Sequence, residues 1–103
     1  MKIETTTELG MTVIRVTGIV KSVEDSLRLK ETISTSISNN PSHPLTIDFV
    51  DTFIIPSSVI GSLLKFIQLD KARISVIVRQ PELLELLDNL KLTTLMNVID
   101  KTH

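Results

Sequence analysis

Leu45-Thr46-Ile47-Asp48-Phe49-Val50, then Ser57 to Lys71, then Arg73-Ile74-Ser75-Val76-Ile77-Val78 is the stretch that decides the fold. Its two ends are short apolar runs rich in β-branched residues, the first bounded by Pro44 and Asp51. Both read as buried strands. Between them Val59, Ile60, Leu63, Leu64, Phe66 and Ile67 recur at helical spacing on one side. Ser58, Gly61, Ser62, Lys65 and Gln68 fall on the other, with Leu69 out of place. Strand, helix and strand in this order form a βαβ unit, with parallel strands and a right-handed crossover.

Working outward, Lys2 to Leu9 and Met11 to Thr17 are Thr-rich and β-branched, joined at Gly10, which predicts a hairpin. Gly18 ends the second strand. Ser22-Val23-Glu24-Asp25 then has the form of a capping box opening a helix. On that helix Val23, Leu27, Leu29, Ile33 and Ile37 share one arc, and Glu24, Arg28, Glu31 and Thr35 lie opposite. Lys30 falls inside the apolar arc, where its long stem can carry the ammonium out to water. Ser38 to Pro44 is a polar loop. Beyond the central unit, Pro81 suits a first helical position, and Leu83, Leu84, Leu86, Leu87 and Leu90 stripe a third helix. Leu95 to Ile99 supplies a short last strand. The expectation is a single α/β domain over 1–103: a mixed sheet of about five strands, hairpin first and then parallel, with three main helices mostly on one face.

The composition narrows the function. The chain has 103 residues, is 42% hydrophobic and carries a net charge of -1, a balance that excludes disorder for most of its length. Its 11 basic and 12 acidic residues are interspersed, and it has three Phe with no Trp or Tyr, so it lacks the basic stripe and stacking rings of a nucleic-acid binder. Cysteine is absent, which removes disulfides and thiolate metal sites. The two His, one a loop residue at 43 and one terminal at 103, leave little for a metal. No metal and no cofactor are expected. Met1-Lys2-Ile3-Glu4 opens without an apolar signal region and no run reaches membrane-spanning length, so the expected location is cytoplasmic, without membrane insertion.

Few residues suit catalysis. Asp48 and Asp51 stand at the end of a parallel strand, where open α/β sheets place their sites. A receiver-type phospho-aspartate would need further carboxylates after the first parallel strand, and Thr17-Gly18-Ile19-Val20-Lys21 has none. A strand-end Asp accepting loop N–H groups is the simpler reading. His43 has no patterned Ser or Asp beside it, and glycines at 10, 18 and 61 form no phosphate loop. The chain reads as a non-enzyme. The informative segment is Phe53-Ile54-Ile55-Pro56-Ser57-Ser58-Val59-Ile60-Gly61, which sets two hydroxyls at the first turn of a helix. There Ser57 or Ser58 can cap free N–H groups while Pro56 directs the chain into the helix, or a serine can accept a phosphoryl group that the helix end tolerates.

These features resemble the STAS domain of bacterial anti-sigma factor antagonists over nearly the whole chain. The family runs hairpin, Gly-led turn, helix, buried strand, an Asp-Ser-Ser-Gly-Leu-Gly segment, second helix, strand and a Leu-rich third helix. Leu45-Thr46-Ile47-Asp48-Phe49 matches its apolar strand, Ile55 to Leu64 its switch and second helix without a gap, and Leu83 to Leu95 its Leu-rich third helix and the short turn leading to the final strand. The resemblance implies a protein partner that is both anti-sigma factor and serine kinase, and a phosphatase that resets the switch. ATP would belong to the kinase. Ser57 would be the phosphorylation site, with Ser58 as its neighbour and possible second acceptor.

The sequence departs from the family motif in places. Pro56 stands for its Asp, Val59 for its following Gly and Lys21 for the Asp after Gly18, while the C-terminal helix is absent or very short. An alternative therefore stands beside the switch: a constitutive interaction or scaffold subunit of a signalling or transport assembly. Either reading uses one expected contact surface, made of Gly18, Lys21, Ser22, Thr52, Phe53, Ile54, Pro56, Ser58 and Val59. An uncovered sheet edge also allows a homodimer.

Overall fold

A computed structural model describes residues 1–102. The chain order is β1 (Lys2–Glu8), β2 (Met11–Thr17), α1 (Val23–Asn39), β3 (Leu45–Phe49), α2 (Ser57–Gln68), β4 (Ile74–Val78), α3 (Pro81–Asn89), a short 3-10 turn (Leu92–Thr94) and β5 (Asn97–Asp100). The five strands form one sheet in the order β1-β2-β3-β4-β5. β1 pairs antiparallel with β2, and every later pair is parallel. Each crossover advances by one strand in the same direction, so right-handed connections bring all three helices to one face of the sheet. The α/β mixed sheet with three helices is the fold expected from the sequence.

The helix-covered face holds the core. Ile14 and Val16, Ile47 and Phe49, and Val76 and Val78 alternate inward along the three central strands. They meet Leu29 and Ile33 of α1, Val59 and Leu63 of α2, and Leu83 and Leu87 of α3, all almost fully buried. Among the described residues no helix is long and apolar enough to cross a membrane.

Several local expectations need correction. The hairpin turn is Leu9-Gly10, both with positive φ (51° and 75°), the type I′ geometry that matches strand twist. On α1, Val23 is 76% exposed and Leu27 46% exposed, although the periodicity placed both on the buried arc. The buried positions are Ser26, Leu29, Ile33 and Ser36. The helix is therefore rotated so that two serines, together with Leu29 and Ile33, face inward in place of Val23 and Leu27. α2 stops at Gln68 instead of Lys71, since Lys71 has φ 56° and turns the chain back, with the Ala72 N–H bonded to the Phe66 carbonyl at 3.0 Å. α3 begins at Pro81 as expected. The last strand starts at Asn97 rather than Leu95, because Lys91 (φ 59°) opens a 3-10 turn that buries Leu92 and leaves Leu95 exposed. No helix follows β5 among the described residues, and His103 lies outside them.

Candidate functional site

The loops after β2 and β3 emerge at the same edge of the sheet, because these strands are parallel neighbours with Val16 opposite Phe49. The Val50 N–H extends this ladder onto the Val16 carbonyl at 3.0 Å. Two consecutive side chains then hold Gly18. Its N–H donates to Asp51 Oδ1 at 2.6 Å, and its carbonyl accepts from the Thr52 hydroxyl at 2.6 Å. Gly18 has φ 93°, and a Cβ there would lie 3.3 Å from the Met1 backbone, so both geometry and space select glycine. Beyond this clasp Ser22 caps α1, accepting the Asp25 N–H at 3.1 Å, while the Asp25 carboxylate accepts the Lys21 N–H at 3.2 Å. The Ser22 half of the expected capping box is present, while the reciprocal bond from Asp25 goes to Lys21, one residue before the N-cap.

The start of α2 is built differently from expectation. Pro56 is the N-cap residue and no side chain caps the helix. The Pro56 carbonyl accepts the N–H groups of Val59 and Ile60 at 3.0 and 3.2 Å. Ser57 and Ser58 are exposed, and neither hydroxyl is hydrogen-bonded among the described residues. Their own N–H groups are first-turn donors, which have no intrahelical partner. The two serines therefore do not serve as caps. They are free hydroxyls at the positive end of the helix dipole.

The expected contact surface divides into three parts. Thr52 and Val59 are fully buried and drop out of it: Thr52 is consumed in the clasp, and Val59 packs in the core. Because the Val59 side chain points inward, its bulk does not crowd the serines beside it. Lys21, Ser22, Pro56 and Ser58 line a groove of about 420 Å³ between the starts of α1 and α2. Phe53 and Ile54, 42% and 52% exposed, instead line a groove of about 290 Å³ with Glu82, Glu85 and Leu86 of α3. Gly18 is half-buried behind both loops. The sequence reading missed Val23, Ser26, Leu27 and Lys30, which complete the first groove. The signal was the lysine inside an otherwise apolar arc.

Asp48 and Asp51 have separate structural roles. Asp51 accepts a loop N–H, as expected for a strand-end aspartate. Asp48 does not. It is 2% exposed and receives Arg79 Nε and Nη2 on its two oxygens at 3.0 and 3.1 Å. Arg15 Nε lies 3.7 Å from Oδ2. Alternation puts all three on the sheet face opposite the helices, away from the loops. The hydrogen bonds to Asp48, and then its negative charge, raise the Arg79 guanidinium above its ordinary pKa. His43, expected as a solvated loop residue, is half-buried, with Nδ1 buried and unpaired. Among the described residues no three His, Asp or Glu side chains converge in a cluster able to hold a metal ion.

No model of a known protein family matches this chain, and no curated protein matches it.

Proposed function

We propose that this chain is a STAS-like, non-catalytic regulator that binds a protein partner and is switched by phosphorylation of Ser57, in the manner of an anti-sigma factor antagonist acting in the cytoplasm. The observation that carries the reading is the exposed, unbonded Ser57 hydroxyl at the first position of α2. A phosphoryl group there adds about 1.5 to 2 negative charges at a helix end that favours anions, without displacing any existing hydrogen bond. The charge is felt by whatever docks beside it, where Phe53 and Ile54 offer apolar contact. The switch thus acts on binding and leaves the fold alone.

Incubation with an anti-sigma-type serine kinase and ATP should add one phosphoryl group to the peptide containing Ser57, and none in Ser57→Ala. Ser57→Asp should lose at least tenfold in partner affinity relative to Ser57→Ala, about 1.4 kcal/mol. One observation favours the alternative of a constitutive interaction subunit. The first turn of α2 carries no acidic residue, and Pro56 stands where the resembling family has its Asp. Equal partner binding by the two Ser57 variants would select that reading.

A further inference from the structure

β1 stands at one end of the sheet, with β2 on one side and no strand on the other among the described residues. All of its residues except Ile3 are exposed, and it has neither a proline nor a bulge to blunt the edge. The hairpin decides which of its backbone groups are free. Glu8 and Met11 flank the two-residue Leu9-Gly10 loop, so they exchange hydrogen bonds, and such pairs alternate along the ladder. The far side of β2 agrees with this phase. The Thr12 N–H donates to the Pro44 carbonyl at 3.1 Å and the Val16 carbonyl accepts the Val50 N–H at 3.0 Å, both away from β1. Thr7 and Ile3, which face Thr12 and Val16 in register, and Thr5 between them therefore aim N–H and C=O outward. Such a row of alternating free donors and acceptors is a template for another strand.

The side chains select that strand. Two-fold antiparallel pairing of β1 with its own copy, centred on Thr5, brings the outward groups of Ile3, Thr5 and Thr7 against those of the second copy's Thr7, Thr5 and Ile3 and engages the whole strand. It also sets Lys2 opposite the second copy's Glu8, and Glu8 opposite the second copy's Lys2. Both are non-hydrogen-bonded positions, where cross-strand side chains approach most closely. The neighbouring registers are worse. Centring on Glu4 faces that carboxylate with its own copy, centring on Thr6 faces Glu4 with the second copy's Glu8, and centring on Ile3 or Thr7 pairs only part of the strand. The opposite edge, β5, has only 4 residues, and β1-to-β5 pairing leaves an edge free at each end and does not close.

We propose that two copies of this chain pair antiparallel through β1, on a two-fold axis at Thr5, and join their sheets into one. The contact is isologous and closes as a dimer. Neither face of the joint is obstructed: the helices leave one side of the sheet uncovered, and on the other Thr5 and Thr7 border an open groove of about 460 Å³ beside α1. A net charge of -1 on each chain adds little repulsion.

The full chain tests this. In sedimentation equilibrium its mass should rise with concentration from one chain to two and no further. Lys2→Glu alone or Glu8→Lys alone sets like charges against each other at both ends of the joint and should weaken the dimer about tenfold or more. Lys2→Glu combined with Glu8→Lys should restore it. Both side chains are exposed, and the Lys2–Glu4 contact at 3.5 Å is a surface pair of little worth, so the fold itself is not at stake. The chain has no cysteine, so introduced ones report the register. Lys2→Cys mixed with Glu8→Cys should form an intermolecular disulfide, whereas neither variant alone should, because each position lies about 20 Å along the strand from its own copy. A dimer indifferent to the single charge reversals, a double exchange that fails to restore it, or either cysteine variant cross-linking with itself as fast as the mixture would overturn the proposal. Growth past the dimer would overturn it in favour of head-to-tail pairing with β5. A chain still monomeric at millimolar concentration would overturn it by leaving the edge to a strand of a different protein.

Discussion

Asp48 and Arg79, 31 residues apart, meet fork to fork on the face of the sheet that the helices leave open, with both carboxylate oxygens engaged at 3.0 and 3.1 Å. Arg15, directly opposite Asp48 in the strand register, adds a second cation 3.7 Å away. A carboxylate 2% exposed needs such partners, since an unpaired buried charge is costly. Asp48→Ala should therefore cost about 1–3 kcal/mol in urea unfolding. Arg79→Lys should destabilise as well, because an ammonium cannot reproduce the two parallel bonds. The Arg79 pKa is raised, so its contribution is complete at and below neutral pH and is lost only as pH climbs through that elevated value. Between pH 6 and 9 the Arg79 side of this pair should therefore give stability no pH dependence.

The Gly18 clasp joins the two loops of the candidate site. Thr52→Val removes a 2.6 Å hydrogen bond from a fully buried hydroxyl and should cost about 1 kcal/mol or more. Gly18→Ala forces a side chain into φ 93° beside the Met1 backbone and should cost at least about 1 kcal/mol. In thermal melts both variants should unfold at lower temperature than the parent chain.

Leu9 is an unusual occupant of its turn. It is fully exposed, with φ 51° in a position that favours Asn or Gly. Leu9→Asn should raise stability by about 0.5–1 kcal/mol through relief of backbone strain alone. A variant no more stable than the parent in chemical denaturation would contradict this reading of the turn.

Val59 fills the core although its neighbours face water. Val59→Ala should cost about 2 kcal/mol from lost burial, and Val59→Gly more, since glycine also weakens the helix. Two-state urea curves on the pair measure both effects.

Ser57→Asp introduces an acidic group into a first turn that has none. It should leave the melting temperature unchanged or raise it, by up to about 1 kcal/mol in stability, and the gain should fade in high salt. A clear loss of stability would mean that a charge at this position disturbs the fold itself.

The order of elements was legible because it rests on local patterns. Apolar runs of strand length at 45–50 and 73–78, a helical period between them, the Gly10 turn, the Ser22 cap and Pro81 each act within a few residues of themselves. Given a βαβ unit, chain chirality supplies the crossover hand and hence the single helical layer. What the sequence could not decide was rotation and pairing. Val23 and Leu27 satisfy the helical period as well as Leu29 and Ile33 do, and only packing in three dimensions chose Ser26 and Ser36 to face inward and left the two larger residues in water. Asp48 and Asp51 look alike as strand-end carboxylates, yet Asp48, inside β3, projects to the open face by the pleat, while Asp51, in the loop beyond β3, turns to the Gly18 N–H. Ser57 and Ser58 are likewise adjacent and chemically identical. The 100° step between helical residues sets only Ser58 against the groove that the start of α1 forms with α2, and that is a property of the tertiary structure alone.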